Sequence, residues 1–308
     1  MSDKLYINTS DLDLVFISYD EPNAEENFAK LKVIAPWARR IHGVKGSDAA
    51  HKAAANLAHT SRIITVDGDN EVHPSFFNQL LELDPDDDRV FSWRGLNVIN
   101  NLHYGNGGIK CWPVEHILEM RTHEAADDQT KNKVEFCWND KYVQMWNIYS
   151  TTKPNGSPFQ AWRAGYREGI KLCLREGERP ELKDFVNQVH KKNWRNLKIW
   201  MTVGDDVPCG AWAMLGARQG LLDLLTPDFD YQRVQDFAWL ELRYFESAPT
   251  DLDTEISNAG KKLEKLLGVE IATMNEKSSR FFKEFFVPPA QEGFMTTEME
   301  VIRRIEKW

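Results

Sequence analysis

The stretch Arg62-Ile63-Ile64-Thr65-Val66-Asp67-Gly68-Asp69-Asn70 decides the expected fold. Its first five residues are mostly β-branched and apolar, which is typical of a strand buried on both faces. The strand runs directly into two aspartates separated by one glycine. In an open α/β sheet, ligands bind beyond the carboxyl ends of the strands. The sequence therefore predicts that Asp67 and Asp69 lie at a ligand-binding edge.

The pattern itself leaves two interpretations of this acidic pair. Two carboxylates one residue apart can bind a hard divalent cation, and such a cation can neutralise a diphosphate. The alternative is an ordinary acidic turn after a strand, which the Asp-Gly dipeptide favours. The surrounding elements have to decide between a metal site and a turn.

Strands and helices alternate along the first hundred residues. Strands are predicted over 12–18, 39–44, 62–66 and 89–93, and helices over 24–33, 49–59 and 74–83. This spacing predicts an α/β fold with a doubly wound, mostly parallel sheet and helices on both faces. The acidic pair then follows the third strand of a nucleotide-binding arrangement, which favours ligand binding over a plain turn.

The C-terminal half of the chain has a helical pattern. In the segment 159–174, apolar residues recur at four-residue spacing along one face. Further helices are predicted over 180–189, 210–225, 231–245, 253–267, 276–286 and 297–308. We therefore predict two regions, a core over 1–155 and a mainly helical region over 156–308, with the boundary in the turn-rich segment 153–158.

The composition excludes several classes of protein. Hydrophobic residues make up 42% and charged residues 28%, as in soluble globular proteins. No apolar run approaches the length of a membrane span and the first residues lack a signal-peptide core, so we expect a cytoplasmic protein without membrane contact. The four cysteines form no Cys-x-x-Cys pair, which argues against a zinc cluster. The net charge of −9 disfavours nucleic-acid binding through the global field, but not through a local basic surface.

Two glycine-bearing loops are candidates for ligand contact. The loop at 43–48 opens a helix without the spacing of a Walker or dinucleotide motif. Its Asp48, His51 and Lys52 could line a nucleotide, or the loop could be a plain cap with a solvated lysine. Gly107 and Gly108 allow close approach of backbone to a ligand, whereas the preceding Asn-Gly dipeptide is also a hairpin signal.

Basic residues cluster at two places in the helical region. One is a stripe along the helix predicted over 159–174, and the other is the run 190–198, which interleaves basic and aromatic residues. Such surfaces suit phosphates and stacked bases, although short basic runs are also found as solvated faces. The predicted nucleic-acid contacts are Arg163, Arg167, Lys191, Lys192 and Arg195.

A cation at the acidic pair needs further ligands, and isolated histidines are the available candidates. His190 is one and His103 another, although neither has ligand spacing. A second acidic run, Val203-Gly204-Asp205-Asp206, raises the alternative of a hydrolase that forms an aspartyl phosphate. Against this alternative, Asn70 follows the first pair where those enzymes carry a small hydroxyl or aliphatic residue.

The assembled pattern resembles the GT-A glycosyltransferases, which use a nucleotide-sugar donor and a divalent metal. The resemblance covers about residues 1–140 and rests on the strand 15–18, the helix start at 46–52, the strand 63–66, Asp67-Gly68-Asp69 and Gly107-Gly108. The acidic pair matches the Asp-x-Asp motif of that class. The double glycine matches the segment that flanks the donor sugar and the acceptor.

Three phrases more narrowly resemble glycosyltransferases of T4-like and other large bacteriophages. They are Ile17-Ser18-Tyr19-Asp20-Glu21-Pro22-Asn23, the segment 36–46, and Gly105-Asn106-Gly107-Gly108-Ile109-Lys110-Cys111-Trp112-Pro113. Some of those enzymes decorate 5-hydroxymethylcytosine in phage DNA, including with arabinose. The resemblance implies transfer of arabinose or a hexose from a UDP-sugar to that base, with residues 1–155 as the sugar-nucleotide core. The alternatives are a glycan or protein acceptor, or a non-catalytic sugar-nucleotide-binding module.

The resemblance also implies roles for individual residues. Mn²⁺ or Mg²⁺ would be bound by Asp67 and Asp69, with His190 as a further candidate ligand. The implied donor contacts are Tyr19, Asp20, Glu21, Lys52, Asp67, Asp69, Gly107 and Gly108. Inverting members often carry a catalytic base in a Glu-Asp pair shortly after the glycines, and this chain has no clear match. Asp127 and Asp128 are the local candidates for the base, with Glu135 nearby.

Overall fold

The computed structural model describes residues 4–104, 107–122, 141–286 and 302–304. Within these ranges the chain forms a mixed α/β fold with a curled eight-stranded sheet and a separate two-stranded sheet. Residues up to 157 contribute most of the strands and are called the sheet half below. Residues 158–286 are called the helical half.

The described strands and helices have the following bounds. The strands are β1 (Leu5–Asn8), β2 (Asp13–Ser18), β3 (Arg39–His42), β4 (Arg62–Asp67), β5 (Asn70–Val72), β6 (Leu80–Leu83), β7 (Val90–Asn97), β8 (Ile109–Pro113), β9 (Tyr142–Thr152) and β10 (Ile302–Arg304). The helices are α1 (Ala24–Ile34), α2 (Ser47–Ala55), α3 (Val114–Glu119), α4 (Pro158–Lys171), α5 (Phe185–Gln188), α6 (Lys191–Thr202), α7 (Gly210–Leu224), α8 (Phe237–Ser247), α9 (Leu252–Leu267) and α10 (Glu276–Phe286).

The large sheet is mixed, so the expectation of a mostly parallel sheet is wrong. Its order is β10-β9-β7-β8-β4-β2-β3, with β5 paired to β9. β2 is parallel to β3 and to β4, and β7 is parallel to β9, whereas β8 is antiparallel to both of its neighbours. The chain returns from β7 to β8 without a crossover helix, and a short connection of this kind joins antiparallel strands. The returning strand thereby separates the two parallel groups.

β4 lies inside the sheet and is buried on both faces, as its composition predicts. Ile64 and Val66 belong to an apolar cluster with Phe16, whereas Ile63 packs in a second cluster with Val15. This alternation is the two-residue period of a strand. Because both faces are covered, the polar residues that follow the strand are the first that can reach solvent.

Two predicted elements of the sheet half match and a third does not. The helices predicted over 24–33 and 49–59 correspond to α1 and α2. The helix predicted over 74–83 is wrong: a 3-10 helix spans Pro74–Asn78, and the chain then forms β6, which pairs with β1. Alternate residues of β6 are buried, so the segment follows a strand period and not a helical one.

The helical half is built around a very close contact between α4 and α7. A Cβ at Gly165 or Gly169 of α4 would lie 2.0 or 2.4 Å from a carbonyl oxygen of α7. A Cβ at Gly216 or Gly220 of α7 would lie 2.1 or 2.3 Å from a carbonyl oxygen of α4. Small residues at four-residue spacing let helix backbones touch in this way. The helices predicted over 159–174 and 210–225 are present, but this pairing was not predicted.

A fully buried arginine joins the surrounding helices. Arg218 donates from Nε to the carbonyl of Met201 at 2.9 Å, from one terminal nitrogen to Ile256 at 2.6 Å, and from the other to Ala272 at 2.9 Å. Burial lowers the pKa of Arg218 to about 10, so the guanidinium is still charged at neutral pH. Its three carbonyl partners offset part of the cost of burying that charge.

Three other helix predictions need correction. The segment 180–189 contains only α5, because Asp184 at its start has a left-handed φ of 61°. The segment 231–245 is divided at Asp236, whose carboxylate accepts from the Trp239 amide and caps α8. Of the segment 297–308, residues 302–304 form β10 and the rest lie outside the described residues. The helix α6 was not predicted.

Candidate functional site

The acidic pair lies at the carboxyl end of β4, beside the end of β2. Asp67 is the last residue of β4, and Ile17 of β2 is its register partner. Because the two strands are parallel, the segments that follow them emerge at the same edge of the sheet. The loop at 19–23 and the turn at 67–70 therefore meet there.

Glu21 joins the pair as a third carboxylate. Its Oε2 accepts from the Tyr19 amide at 2.8 Å and lies 2.7 Å from the position that a Cβ on Gly68 would take. Only glycine therefore fits between the aspartates while Glu21 keeps this position. Glu21, Asp67 and Asp69 are called the acid cluster below.

The carboxyl groups of the acid cluster act on one another. Burial raises the pKa of Asp69 to about 7, and the negative charges of Asp67 and Glu21 add to this effect. The positive charge of Arg163 opposes it in part, as does a hydrogen bond from the Asn70 amide to Oδ1 of Asp69 at 2.8 Å. Like charges near a partly buried carboxyl favour its protonated form. A cation at this place would relieve that repulsion.

The double glycine is wedged against the acid cluster. The amide of Asp67 donates to the carbonyl of Gly108 at 2.9 Å. A Cβ on Gly108 would lie 2.0 Å from Nδ2 of Asn70, and one on Gly107 would lie 2.1 Å from the carbonyl oxygen of Trp93. Both positions therefore need glycine for close packing, and the segment forms one wall of the site.

Asn70 is a site residue that sequence reasoning missed. Its Oδ1 accepts from the hydroxyls of Ser150 at 2.9 Å and Thr152 at 3.1 Å, and its Nδ2 donates to Asp69. The amide of Lys153 donates to the carbonyl of Asp69 at 2.7 Å. The end of β9 thus fixes the turn that carries the second aspartate. A signal was present in the sequence, because an amide directly after an acidic pair can act as a local hydrogen-bond donor.

Lys110 and His51 lie beneath the acidic pair and are both buried. The Nζ of Lys110 lies 3.8 Å from Oδ2 of Asp67 and donates to the carbonyl of Gly107 at 3.0 Å. Burial lowers the pKa of His51, although the negative charge of Asp67 opposes that shift. Sequence reasoning did not include Lys110 in the site, although a lysine between Ile109 and Cys111 in an apolar strand was a usable signal.

The remaining implied donor contacts differ in how far the structure brings them to this edge. Tyr19 and Asp20 are exposed and directly follow β2. Lys52 pairs with Asp48 four residues earlier on α2, at 2.8 Å. Ion pairs between residues four apart are common on the surface of a helix, so this pair agrees with the alternative in which the loop at 43–48 simply opens a helix.

Arg163 and Arg167, two of the predicted nucleic-acid contacts, are half-buried on α4 and pack against aromatic rings. Their guanidinium carbons lie 4.7 and 5.3 Å from the ring centre of Phe237 on α8, and Arg163 also lies 5.3 Å from the ring of Phe159. The charge of Arg163 acts on Asp69. This arginine is therefore associated with the acid cluster and with α8.

The predicted basic run forms an exposed face of α6. Lys191, Lys192, Arg195 and Lys198 are all exposed, and Asn196, Leu197 and Trp200 are buried on the opposite side. Within the described ranges, none of these basic side chains forms an ion pair. The first three are called the basic face of α6 below.

The structure does not bring the other predicted ligands to the acidic pair. His190 is exposed at the start of α6 and does not join Asp67 and Asp69 in a group of ligands, and across the described ranges no three His, Cys, Asp or Glu side chains are arranged to bind one metal ion. Asp127 and Asp128, the predicted catalytic bases, and Glu135 lie outside the described residues.

The second acidic run has a structural explanation. The carboxylate of Asp206 is buried and its Oδ2 lies 2.6 Å from Nζ of Lys283 on α10. Lys283 also donates to the carbonyls of Val98 and Ile99 at 3.3 Å. This carboxylate thus anchors α10, which disfavours the alternative of an aspartyl-phosphate hydrolase.

Comparison with protein-family models, with curated proteins and with solved structures gives no match in any of the three searches. Among the helices within the described ranges, none combines the length and apolar character that crossing a bilayer requires. The function has to be inferred from the geometry of the acid cluster and its surroundings.

Proposed function

We propose that the protein is a GT-A-type glycosyltransferase that uses a divalent cation and moves a sugar from a UDP-sugar to 5-hydroxymethylcytosine in DNA. One observation carries the proposal: the Asp67-Gly68-Asp69 turn ends a buried strand with the Gly107–Gly108 segment hydrogen-bonded against it. An acidic turn beside a backbone wall at the edge of an α/β sheet is suited to a sugar diphosphate. Arabinose and a hexose are the candidate sugars.

The carboxylates of Asp67 and Asp69 suit Mn²⁺ or Mg²⁺, with substrate oxygens as the further ligands. Both are hard cations that prefer carboxylate oxygens, and Mg²⁺ is often bound by one or two carboxylates with substrate phosphates completing its shell. Burial is the main cause of the raised pKa of Asp69, and the negative charges of Asp67 and Glu21 add a repulsion that such a cation would relieve. When bound, the cation supplies positive charge opposite the leaving diphosphate.

Residues of this chain would orient the donor. Asp67 and Asp69 face the diphosphate, and the exposed loop of Tyr19 and Asp20 provides contacts for the uridine. The Gly107–Gly108 segment lets the sugar approach backbone. If the reaction inverts the anomeric carbon, a carboxylate takes the proton of the attacking hydroxyl, and Asp127 and Asp128 are proposed for that role.

The basic face of α6 is the proposed DNA-binding surface. Lys191, Lys192 and Arg195 are exposed, and contacts with phosphates would give affinity that falls as salt rises. The net charge of −9 makes such a local face necessary for DNA binding. A base inside a duplex would have to be exposed by flipping before its hydroxymethyl group could react.

The decisive experiment measures the mass of the acceptor. The protein is incubated with Mn²⁺, a panel of UDP-pentoses and UDP-hexoses, and duplex DNA with or without 5-hydroxymethylcytosine. We expect the mass gain of one pentose or hexose on the hydroxymethylated duplex alone. Asp69→Ala should abolish this gain, whereas Asp205→Ala, an exposed aspartate of the second acidic run, should keep it.

A glycan or protein acceptor is the second candidate, and the net charge of −9 favours it. The same assay separates the two. Hydrolysis of a UDP-sugar that needs Asp69, without a mass gain on any DNA, would overturn the DNA acceptor and keep the transferase. If the unmodified protein binds a UDP-sugar without turning it over, and Asp69→Ala changes nothing, only a binding module would remain.

A further inference from the structure

Lys110 lies close to both Asp67 of the acid cluster and the Gly107–Gly108 segment. Its side chain is 8% exposed, and its Nζ lies 3.8 Å from Oδ2 of Asp67 while donating to the carbonyl of Gly107 at 3.0 Å. Lysine is seldom buried unless its charge has a partner. One ammonium group therefore contacts both the first aspartate and the double glycine.

The backbone of Lys110 is fixed on both sides. On β8 it is the register partner of Thr65 in β4 and of Ser92 in β7. Because β8 lies between these two strands, the backbone of Lys110 is held in place. Its ammonium group lies beside Asp67 of the acid cluster.

An ammonium group next to Asp67 has two opposing effects. It neutralises part of the negative charge of the acid cluster, which weakens the attraction for a second cation. It also holds Oδ2 of Asp67, and no hydrogen bond or ion pair of the described residues involves Oδ1. The carboxylate thereby keeps Oδ1 for a ligand, beside a glycine segment that accepts a hydrogen bond from the same ammonium group.

We propose that Lys110 is a positioning residue that aligns Asp67 with the Gly107–Gly108 segment and lowers the affinity of the acid cluster for divalent cations. The inference rests on the proposed function, because it assigns a role toward the cation of that site. A lysine that served packing alone would not set cation affinity through Asp67. The two roles can therefore be separated by experiment.

The test measures Mn²⁺ binding by calorimetry on the full chain without donor. For Lys110→Met, which removes the charge and keeps an unbranched side chain that is one atom shorter, we expect Mn²⁺ to bind about tenfold more tightly, and UDP-sugar hydrolysis to slow severalfold because the glycine segment loses its hydrogen bond. Lys110→Arg keeps the charge and should stay within about threefold of the unmodified protein in Mn²⁺ affinity. Lys141→Met is the matched control, since Lys141 pairs with Asp88 and should leave Mn²⁺ affinity unchanged.

A double-mutant cycle identifies the residue through which Lys110 acts. In an Asp67→Asn background, Lys110→Met should change Mn²⁺ affinity less than about twofold, because the pair no longer exists. Lys110→Gln is a second neutral variant, and circular dichroism checks that each variant is folded. Unfolding of both neutral variants would assign Lys110 to stability alone and overturn the inference.

The remaining outcomes separate this inference from the proposed function. If the unmodified protein binds Mn²⁺ and Lys110→Met binds it equally or more weakly, the role of Lys110 is wrong and the transferase stands. If Mn²⁺ binds neither the unmodified protein nor Lys110→Met, both proposals fall. If Mn²⁺ binds only Lys110→Met, the effect of Lys110 is supported and the metal dependence proposed for the natural chain is overturned.

Discussion

The two halves of the molecule differ in how charges close to one another are balanced. In the helical half they have partners: Arg218 donates to three carbonyls, Lys283 pairs with Asp206, and the half-buried Asp223 accepts from Arg243. In the sheet half, Asp67 and Asp69 bring like charges together, and the pKa of Asp69 rises to about 7. Paired charges stabilise packing, whereas like charges close together at the edge of the sheet indicate a candidate ligand site.

The largest expected effect is a loss of stability caused by a substitution in the helical half. Gly216→Ala places a methyl group where a carbonyl oxygen of α4 lies 2.1 Å away, so the helices must separate. We expect a loss of about 3–5 kcal/mol in the free energy of unfolding, although alanine normally favours a helix over glycine. Urea denaturation measures it. As a control, Ala164→Gly on α4 should cost only about 1 kcal/mol, and equal losses in the two variants would contradict backbone contact.

A slightly smaller loss is expected when the buried guanidinium is removed. Arg218→Met leaves the carbonyls of Met201, Ile256 and Ala272 without their donor, and we expect about 3 kcal/mol of destabilisation. Thermal and urea unfolding should both show it. The proposed transferase activity of the folded fraction should not change, since Arg218 belongs to the helical core. Activity that falls in the folded fraction would show that Arg218 also influences the candidate site.

In the sheet half, removal of the charge of Asp69 should stabilise the protein. The folded chain holds a proton on Asp69 between about pH 4 and 7 that the unfolded chain has lost, so stability falls as the pH rises through this range. Asp69→Asn keeps the acceptor for Asn70 and removes the charge. Without metal we expect it to gain about 1–2 kcal/mol near pH 8, a value reduced because water reaches the carboxyl, and nothing near pH 4.

Unfolding curves at the two pH values test this prediction. A gain in the free energy of unfolding that is equal at the two pH values would show that it does not come from the charge of Asp69. Mn²⁺ binding by the unmodified protein should weaken as the pH falls below about 7, because the ligand must lose its proton first.

The smallest effect concerns the basic face of α6. Replacing Lys191, Lys192 and Arg195 by glutamine should weaken binding of hydroxymethylated duplex DNA about tenfold near 0.1 M salt and flatten its salt dependence. The free energy of unfolding should change by less than about 0.5 kcal/mol, because all three are exposed. Fluorescence anisotropy over a salt series measures the affinity.

The helix α9 provides a matched control for the basic face. Lys261, Lys262 and Lys265 are exposed and have the same sequence spacing as the three residues on α6. Their replacement by glutamine removes the same charge and should leave DNA affinity within about twofold of the unmodified protein. An equal loss in both triple variants would mean that DNA responds to net charge and not to α6.

What the sequence predicts well is local in the chain. The burial of β4, the turn after it and the helices α1 and α2 follow from neighbouring residues, so the acidic pair is placed at the end of a strand, although neither helix has the predicted side-chain cap. Pairing between distant segments is different, because nothing near β8 indicates that it inserts antiparallel between β4 and β7. The same limit explains why Asn70 and Lys110 were missed, since their partners are fixed only by that topology.

The contact of α4 with α7 has a mechanical consequence. Each helix occupies the space that Cβ atoms at the glycines of the other helix would need. The two helices therefore cannot slide past each other and move as a unit. α4 begins shortly after Lys153, whose amide is bound to the carbonyl of Asp69. A displacement of the Asp69 turn would therefore be transmitted to the N-terminal end of α4. Such a displacement would shift α4 and α7 together, because neither helix can move along the other.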